Sequence, residues 1–370
     1  MQDKEYDGFY GRIDGENKLY KKANKGAILN ARLLWTFSAA YRVLKDERYL
    51  ETAQRAFDYI IAFFLDKQHG GAYWEVDYQG HPVNTKKQVY AQGFMLYGFS
   101  EFYRATGNEQ ALELAKQFFF LIEKCRDKER EGYFEAYTED WRPIDDMRLS
   151  NKDANEKKTM NTHLHILEPY TNLYRVWQDE RLAEAQTRLI QVFTERILNP
   201  ETNHLQLFFD EEWHIKSSAV SYGHDIEASW LLLEASEVLK NDKLTGKTKN
   251  ISLKIVDAAS EGLEADGSMI YEKEGEFADK ERHWWVQAEA VVGFMYAYKN
   301  SGNHSYLVKA KMIWDYIRDF IVDHRDKEWI WSRLEDHTVN RKEDKAGFWK
   351  CPYHNGRMCL EMIEHFGFEK

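Results

Sequence analysis

Apolar positions along the chain fall into a helical rhythm that restarts five times. The segments are LKDERYLETAQRAFDYI from Leu44, TGNEQALELAKQFFFLI from Thr106, WQDERLAEAQTRLIQVF from Trp177, KNDKLTGKTKNISLKIV from Lys240 and SGNHSYLVKAKMIWDYI from Ser301. Each starts on a turn ending in Asp or Asn, residue types that cap helix N-termini, and runs on as an amphipathic helix. The anchors Asp46, Asn108, Asp179, Asp242 and Asn303 are spaced 62, 71, 63 and 61 residues apart. Tyr41-Arg42, Tyr103-Arg104, Tyr174-Arg175 and Tyr298-Lys299 stand five and four residues before their anchors, and the degenerate fourth copy has Glu237-Val238 there. A weak sixth anchor falls near Phe368.

A second, more uniformly apolar helical pattern precedes each anchor, as in GAILNARLLWTFSAAYRVL and VYAQGFMLYGFSEFYRA. The repeating unit is therefore a helical hairpin of about 60 residues. Between units lie short alternating stretches rich in Gly and Asp, such as GGAYWEVDYQGHPV and GSMIYEKEGEFADK, which suit β-hairpins. Six hairpins in 370 residues predict an all-α, closed (α/α)6 barrel formed by residues 1–370 as one domain, with β-hairpin loops at one mouth. An open solenoid would need polar capping repeats at its ends.

In such a ring the first helix of each hairpin is the inner one. Fourteen residues before the anchors stand Arg32, Phe94, His165, Ala228 (beside Glu227) and Glu289, with His354 added if the sixth anchor holds. Eighteen residues before stand Ile28, Tyr90, Asn161, His224 and Trp285. Positions four apart share a helix face, so equivalent faces carry polar and aromatic residues where a plain core would repeat Leu or Ala. They predict an aromatic-walled, polar-floored pocket at one mouth of the ring.

Some of these residues also have a purely structural reading. Asp225 serves as a helix-start residue, Arg32 as a buried ion-pair partner and Trp284 as packing. His163 and His165 resemble a metal pair, yet residues two apart on a helix face different ways. Cys351 and His354 lack the second Cys/His pair of a zinc site. There is no phosphate-binding glycine loop and no serine nucleophile elbow.

The formal charge of −11 and the absence of a basic stretch argue against a nucleic-acid partner. Three cysteines, an odd and sparse set, fit a reducing compartment. No apolar run is long enough to span a membrane, and the first residues lack the apolar stretch of a secretory signal. A cytoplasmic protein, monomeric or weakly oligomeric, is expected.

Aromatic walls with hydrogen-bonding Asn, Glu and Arg suit a sugar. Glycoside hydrolysis needs two carboxyl groups flanking the bond, whereas the ring offers more histidines than carboxylates. Histidine titrates near neutrality. Two such bases on opposite sides of a carbon α to a carbonyl can remove a proton and return one to the other face, with no cofactor.

The stretches MNTHLHILEPYTNLYRVW, SYGHDIEASWLL, RHWWVQAEAVVGF, FWKCPYHNGRMCLE and LNARLLWTFSAAYR resemble those of cellobiose 2-epimerases, within the N-acylglucosamine 2-epimerase superfamily of (α/α)6 barrels. The resemblance spans essentially the whole chain. It implies epimerisation at C2 of the reducing-end sugar of a β-1,4-linked disaccharide such as cellobiose, lactose or mannobiose, through ring opening and a cis-enediol. It further implies that His224 and His354 are the acid/base pair and that His165 assists ring opening. Glu227 would orient His224. Arg32, Asn161, Glu289, Trp285 and Trp349 would line the sugar subsites, with Tyr90 and Phe94 as walls. Members of the family usually begin with a helix before the segment matching DGFYG; here either that first outer helix is missing or the chain starts late. The alternatives are a monosaccharide epimerase or aldose–ketose isomerase acting on mannose or N-acetylglucosamine, an (α/α)6 glycoside hydrolase, and a sugar-binding module.

Overall fold

A computed structural model describes residues 1–367. Eleven α-helices follow in order: α1 Ala27–Leu44, α2 Glu47–Tyr59, α3 Val89–Thr106, α4 Glu109–Lys124, α5 Met160–Tyr174, α6 Glu180–Val192, α7 Tyr222–Val238, α8 Asp242–Ala259, α9 Trp284–Ser301, α10 His304–Tyr316 and α11 His354–Phe366. The odd-numbered helices pack side by side in a ring, each against the next, and α11 closes it against α1. The even-numbered helices lie outside, each packed on its own inner partner. The fold is the expected (α/α)6 barrel.

The two layers differ in how they are buried, and the sequence shows why. Inner helices touch the lumen on one side and the outer layer on the other; α3 is buried from Val89 through Phe102 without a break. Outer helices bury a single stripe, which in α2 is Ala53, Ala56, Phe57 and Tyr59. Asp46, Asn108, Asp179 and Asn303 cap the outer helices, each accepting a backbone N–H two or three residues on. In the fourth unit the cap is Asn241, not Asp242. The true anchor thus lies one residue earlier than the pattern places it, which evens the last two spacings. The sixth anchor near Phe368 lies outside the described residues.

Among the described residues the outer layer has five helices against six inner ones. The bridge Gln2–Phe9 reproduces bridges Leu65–Ala72, Arg126–Tyr133, Leu198–Leu205, Leu263–Met269 and Val322–Trp329, each of which follows an outer helix. The first nine residues therefore occupy the loop position that elsewhere comes after that layer.

The recurrent Tyr-Arg pairs lie at the far mouth, in the last turns of the inner helices. Arg42 on α1 pairs with Glu101 on α3 and Glu364 on α11. Arg104 donates to Glu101 and to Asn172 on α5, and Arg175 pairs with Glu234 on the next inner helix. The motif is a chain of interhelical ties around a cavity of about 260 Å³. Cations at helix C-termini also complement the helix dipole.

The near mouth is built from two- and three-residue strands. Lys25–Gly26, Lys87–Gln88, Lys158–Thr159, Val220–Ser221 and Arg282–His283 each lead directly into an inner helix and pair antiparallel with a strand of a neighbouring loop. Lys25, Lys87 and Lys158 are fully buried and ion-paired with Asp3, Asp66 and Asp127. These pairs fix where α1, α3 and α5 start, and hence where their first turns point. No helix among the described residues is long and apolar enough to cross a membrane.

Candidate active site

The first two turns of the inner helices converge on a cavity of about 580 Å³ at the strand-lined mouth. Arg32, Tyr90, Asn161, His165, His224 and Glu227 border it, joined by Trp285, Trp349 and His354. The shared register thus does bring these residues together. Phe94 and Glu289 do not border the cavity. Both are fully buried one layer behind it. Phe94 supports the Arg32 guanidinium, 4.5 Å above its ring, and Glu289 holds His354. As subsite residues these two were misplaced, because a register fixes a face but not depth.

Each of the three histidines has its Nδ1 engaged, and each by a different partner. His165 Nδ1 lies 3.0 Å from Glu168 Oε2. His354 Nδ1 lies 2.7 Å from Glu289 Oε1. His224 Nδ1 lies 2.8 Å from Ser221 Oγ. Nε2 is left as the nitrogen for chemistry on each ring. His224 and His354 both pack on Trp285, with ring centroids 4.8 and 5.7 Å away. Burial drives His224 down to about 3, with His165 adding to the shift. His354 is held well below the ordinary histidine value, by burial first and then by Arg32 and Arg357. Both imidazoles rest in the neutral form that a base requires.

Glu227 does not orient His224. Its carboxylate accepts from Arg357 and stands 4.0 Å from His354 Nδ1. It belongs to a buried cluster in which the Arg357 guanidinium donates to Glu168, Glu227 and Glu289 together. Tyr353 joins by donating to Glu168 at 2.6 Å. Burial would raise Glu168, yet Arg357 and His165 outweigh it and hold the group at about 2. Burial and the neighbouring Glu289 push Glu227 up to about 7. Glu227, Glu289 and His354 are close enough to share a metal ion, and the cation among them here is Arg357.

Arg357 and Glu168 escaped the sequence reading although each sits three residues after a selected histidine, His354 and His165. Residues three apart share a helix face, and that spacing is the signal that marks them. Ser221, three residues before His224, was missed in the same way. Tyr271, His283 and Trp331 also border the cavity; they come from the mouth loops and have no helical register to betray them.

Local backbone features set these side chains. Pro169 lies inside α5 and so offers no N–H to the carbonyl of His165, four residues earlier. Helix α3 approaches that carbonyl through Gly93, where a Cβ would lie 2.3 Å from the oxygen. Gly223 admits Trp285 beside His224, since a Cβ there would lie 2.6 Å from the indole. Gly223→Ala is expected to displace that ring and lower kcat/KM on the order of 10- to 100-fold, with the far-ultraviolet circular dichroism spectrum unchanged. Asn161 borders the cavity, and its Oδ1 is buried without a hydrogen-bond partner.

His163, in contrast, is structural. Its Nε2 accepts from the Tyr133 N–H and its Nδ1 meets the Thr159 carbonyl, and burial lowers it to about 4. Histidines whose folded pKa lies below the unfolded value withhold protons that the unfolded chain takes up. Their cost therefore appears as pH falls below 6.5, the ordinary histidine value. His163 and His224 should each remove about 1 kcal/mol of stability between neutrality and about pH 5.5. Denaturant titrations at the two pH values check this, and His163→Asn should flatten part of the slope.

The profile of the N-acylglucosamine 2-epimerase (GlcNAc 2-epimerase) family matches residues 8–356. The chain belongs to the N-acylglucosamine 2-epimerase family. It is a carbohydrate epimerase. Within the family it is 55% identical over 366 residues to a cellobiose 2-epimerase of Bacteroides fragilis, covering 98% of this chain and 93% of the relative. The solved cellobiose 2-epimerase of Bacillus thermoamylovorans superposes with a TM-score of 0.95 at 43% identity, covering 98% and 94% of the two chains. A D-mannose isomerase structure matches with a TM-score of 0.86 at 18% identity, covering 98% and 92%, and shares the fold.

Proposed function

We propose that this epimerase inverts C2 of the reducing-end sugar of β-1,4-linked disaccharides such as cellobiose, lactose and mannobiose. The observation that carries the reading is the pair His224 and His354. Both are neutral, both pack on Trp285, and each is fixed through Nδ1 so that Nε2 is free. The 55% identity to a relative named for cellobiose supports the same substrate class. The cavity also extends from the histidines to a rim formed by Trp331, His283 and Trp349, which gives a second sugar ring a wall to stack on.

Once the ring has opened, with His165 holding the sugar oxygens, the C1 carbonyl acidifies the C2–H bond. One imidazole takes that proton at Nε2 and becomes imidazolium. The electron pair passes to the C1 oxygen, and the Arg32 cation stabilises the enediolate that forms. The second imidazole gives its Nε2 proton to the opposite face of C2. When the second is His354, a proton shared by Glu227 and Glu289 moves onto Nδ1 as the Nε2 proton leaves, so no imidazolate forms. Burial pushes Glu227 up to about 7 and shifts Glu289 in the same direction, so Glu227 can hold that proton near neutrality. In the reverse direction His354 takes the C2 proton and His224 returns one, and the two sides reset by exchange with solvent. The formal charge of −11 disfavours nucleic-acid and anionic-membrane partners, and the expectation is a cytoplasmic, monomeric or weakly oligomeric enzyme.

The test is incubation with cellobiose, with lactose and with free mannose in deuterated water. The C2 epimer of a disaccharide, carrying deuterium at C2, is expected. Turnover of mannose with neither disaccharide altered would move the assignment to a monosaccharide enzyme, and release of glucose would indicate hydrolysis.

A further inference from the structure

Helix α7, which carries His224, lacks the buried ion pair that precedes α1, α3 and α5. Where Lys25, Lys87 and Lys158, two residues before α1, α3 and α5, pair with buried aspartates, the corresponding residue of α7 is Val220. Thr159 caps α5 by accepting from the Thr162 N–H, whereas Ser221, though able to cap, makes no side-chain cap, as is also true before α1, α3 and α9. Its hydroxyl is fully buried and turned onto His224 Nδ1 at 2.8 Å instead. Ser221 pairs in register with Glu272 across the short strands Val220–Ser221 and Glu272–Glu274. Residues opposite one another on antiparallel strands project to the same face, which sets the Glu272 carboxyl on the side of the Ser221 hydroxyl. His224 and Glu272 both border a smaller cavity that adjoins the sugar site.

We infer that Ser221 and Glu272 are positioning residues that fix the tautomer of His224 and stabilise its imidazolium. The serine oxygen accepts the Nδ1 proton and its own hydroxyl proton goes to Glu272. That leaves the Nε2 lone pair as the only basic position on the ring. When Nε2 takes the C2 proton, the new positive charge is felt through the hydroxyl by the carboxyl group. The two bases then differ in kind: His354 is backed directly by a carboxylate, His224 through an intervening hydroxyl. Burial pushes the Glu272 carboxyl upward, and a carboxyl group keeps an acceptor oxygen in either protonation state.

The inference rests on the assignment of His224 as one of the two bases. It makes a prediction that depends on direction. Loss of Ser221 raises only the barrier at which His224 exchanges a proton with C2. With substrate deuterated at C2, the isotope effect on Ser221→Ala should rise for one epimer and fall toward unity for the other. kcat should drop about 10- to 100-fold, the scale of losing an outer partner of a functional histidine, with KM within about twofold. Ser221→Thr, which keeps the hydroxyl, should restore most of the rate. Glu272→Gln should give the same split in isotope effects at smaller amplitude. Because the Ser221 side chain caps no N–H, the alanine variant removes no helix cap; Glu272→Gln reads the same signature independently. Unchanged kcat in both variants, or isotope effects that move together for both epimers, would overturn the inference. Wild-type enzyme inert on both disaccharides would instead overturn the substrate assignment on which it rests.

Discussion

His354→Ala is expected to fold normally and to lose on the order of 10²- to 10⁴-fold in kcat, the contribution of a placed acid or base. His224→Ala should fall by a similar factor. The double variant should fall little further than either alone, because groups that act as a unit are not additive. The reason lies in the geometry. His354 is buried and oriented through one nitrogen by Glu289 at 2.7 Å, and no other basic side chain among the described residues shares its place beside that carboxylate and Trp285. Steady-state rates on cellobiose, with circular dichroism as the folding control, check the result. A His354→Ala enzyme turning over at the wild-type rate would break the two-base scheme. His163→Asn is the internal control: that imidazole bonds only to backbone, so its loss should affect stability and leave kcat within about twofold.

The second large effect concerns stability. Arg357 is fully buried and is the guanidinium shared by Glu168, Glu227 and Glu289. Arg357→Leu leaves three buried carboxyl groups facing one another without a cation. Removing one partner of a buried ion pair costs about 3–5 kcal/mol, which for a chain of this length lowers the thermal midpoint by roughly 5 °C. Arg357→Lys should recover only part of this, because an ammonium cannot span several carboxylates as a planar fork does. A midpoint within about 1 °C of wild type would show that the carboxyl groups simply bind protons and that the guanidinium is dispensable.

How far the sequence reached can be followed residue by residue. The caps Asp46, Asn108, Asp179 and Asn303 were legible because a capping side chain must stand at one point of each repeat. From them the register led to Arg32, Tyr90, Asn161, His165, His224 and Trp285, since helical geometry is a counting rule. His354 came from the same count, although its anchor near Phe368 lies outside the described residues. Glu227 was found but given the wrong partner: one helical turn is too short a vantage to show that Arg357, 130 residues away in the chain, lies beside it. Phe94 and Glu289 were found but placed one layer too far in. The mouth residues Tyr271, His283 and Trp331 were invisible for a different reason. Their positions follow from turns and strand pairing, which carry no period.

The closure of the ring has a consequence for how the enzyme comes into being. The Arg32 guanidinium donates to the Trp349 carbonyl across 317 residues, and Ile13 bridges to Ala346. His354 and Arg357 sit on the last inner helix. A chain emerging from the ribosome therefore carries His165 and His224 long before it has their counterpart or the cation for their carboxylates. Contacts of such long sequence separation carry a loop-closure cost that slows folding, and the proposed acid/base pair is complete only when the final helix seats against the first. Activity then reports completion of the ring, and a chain lacking the last inner helix is expected to be silent toward sugar.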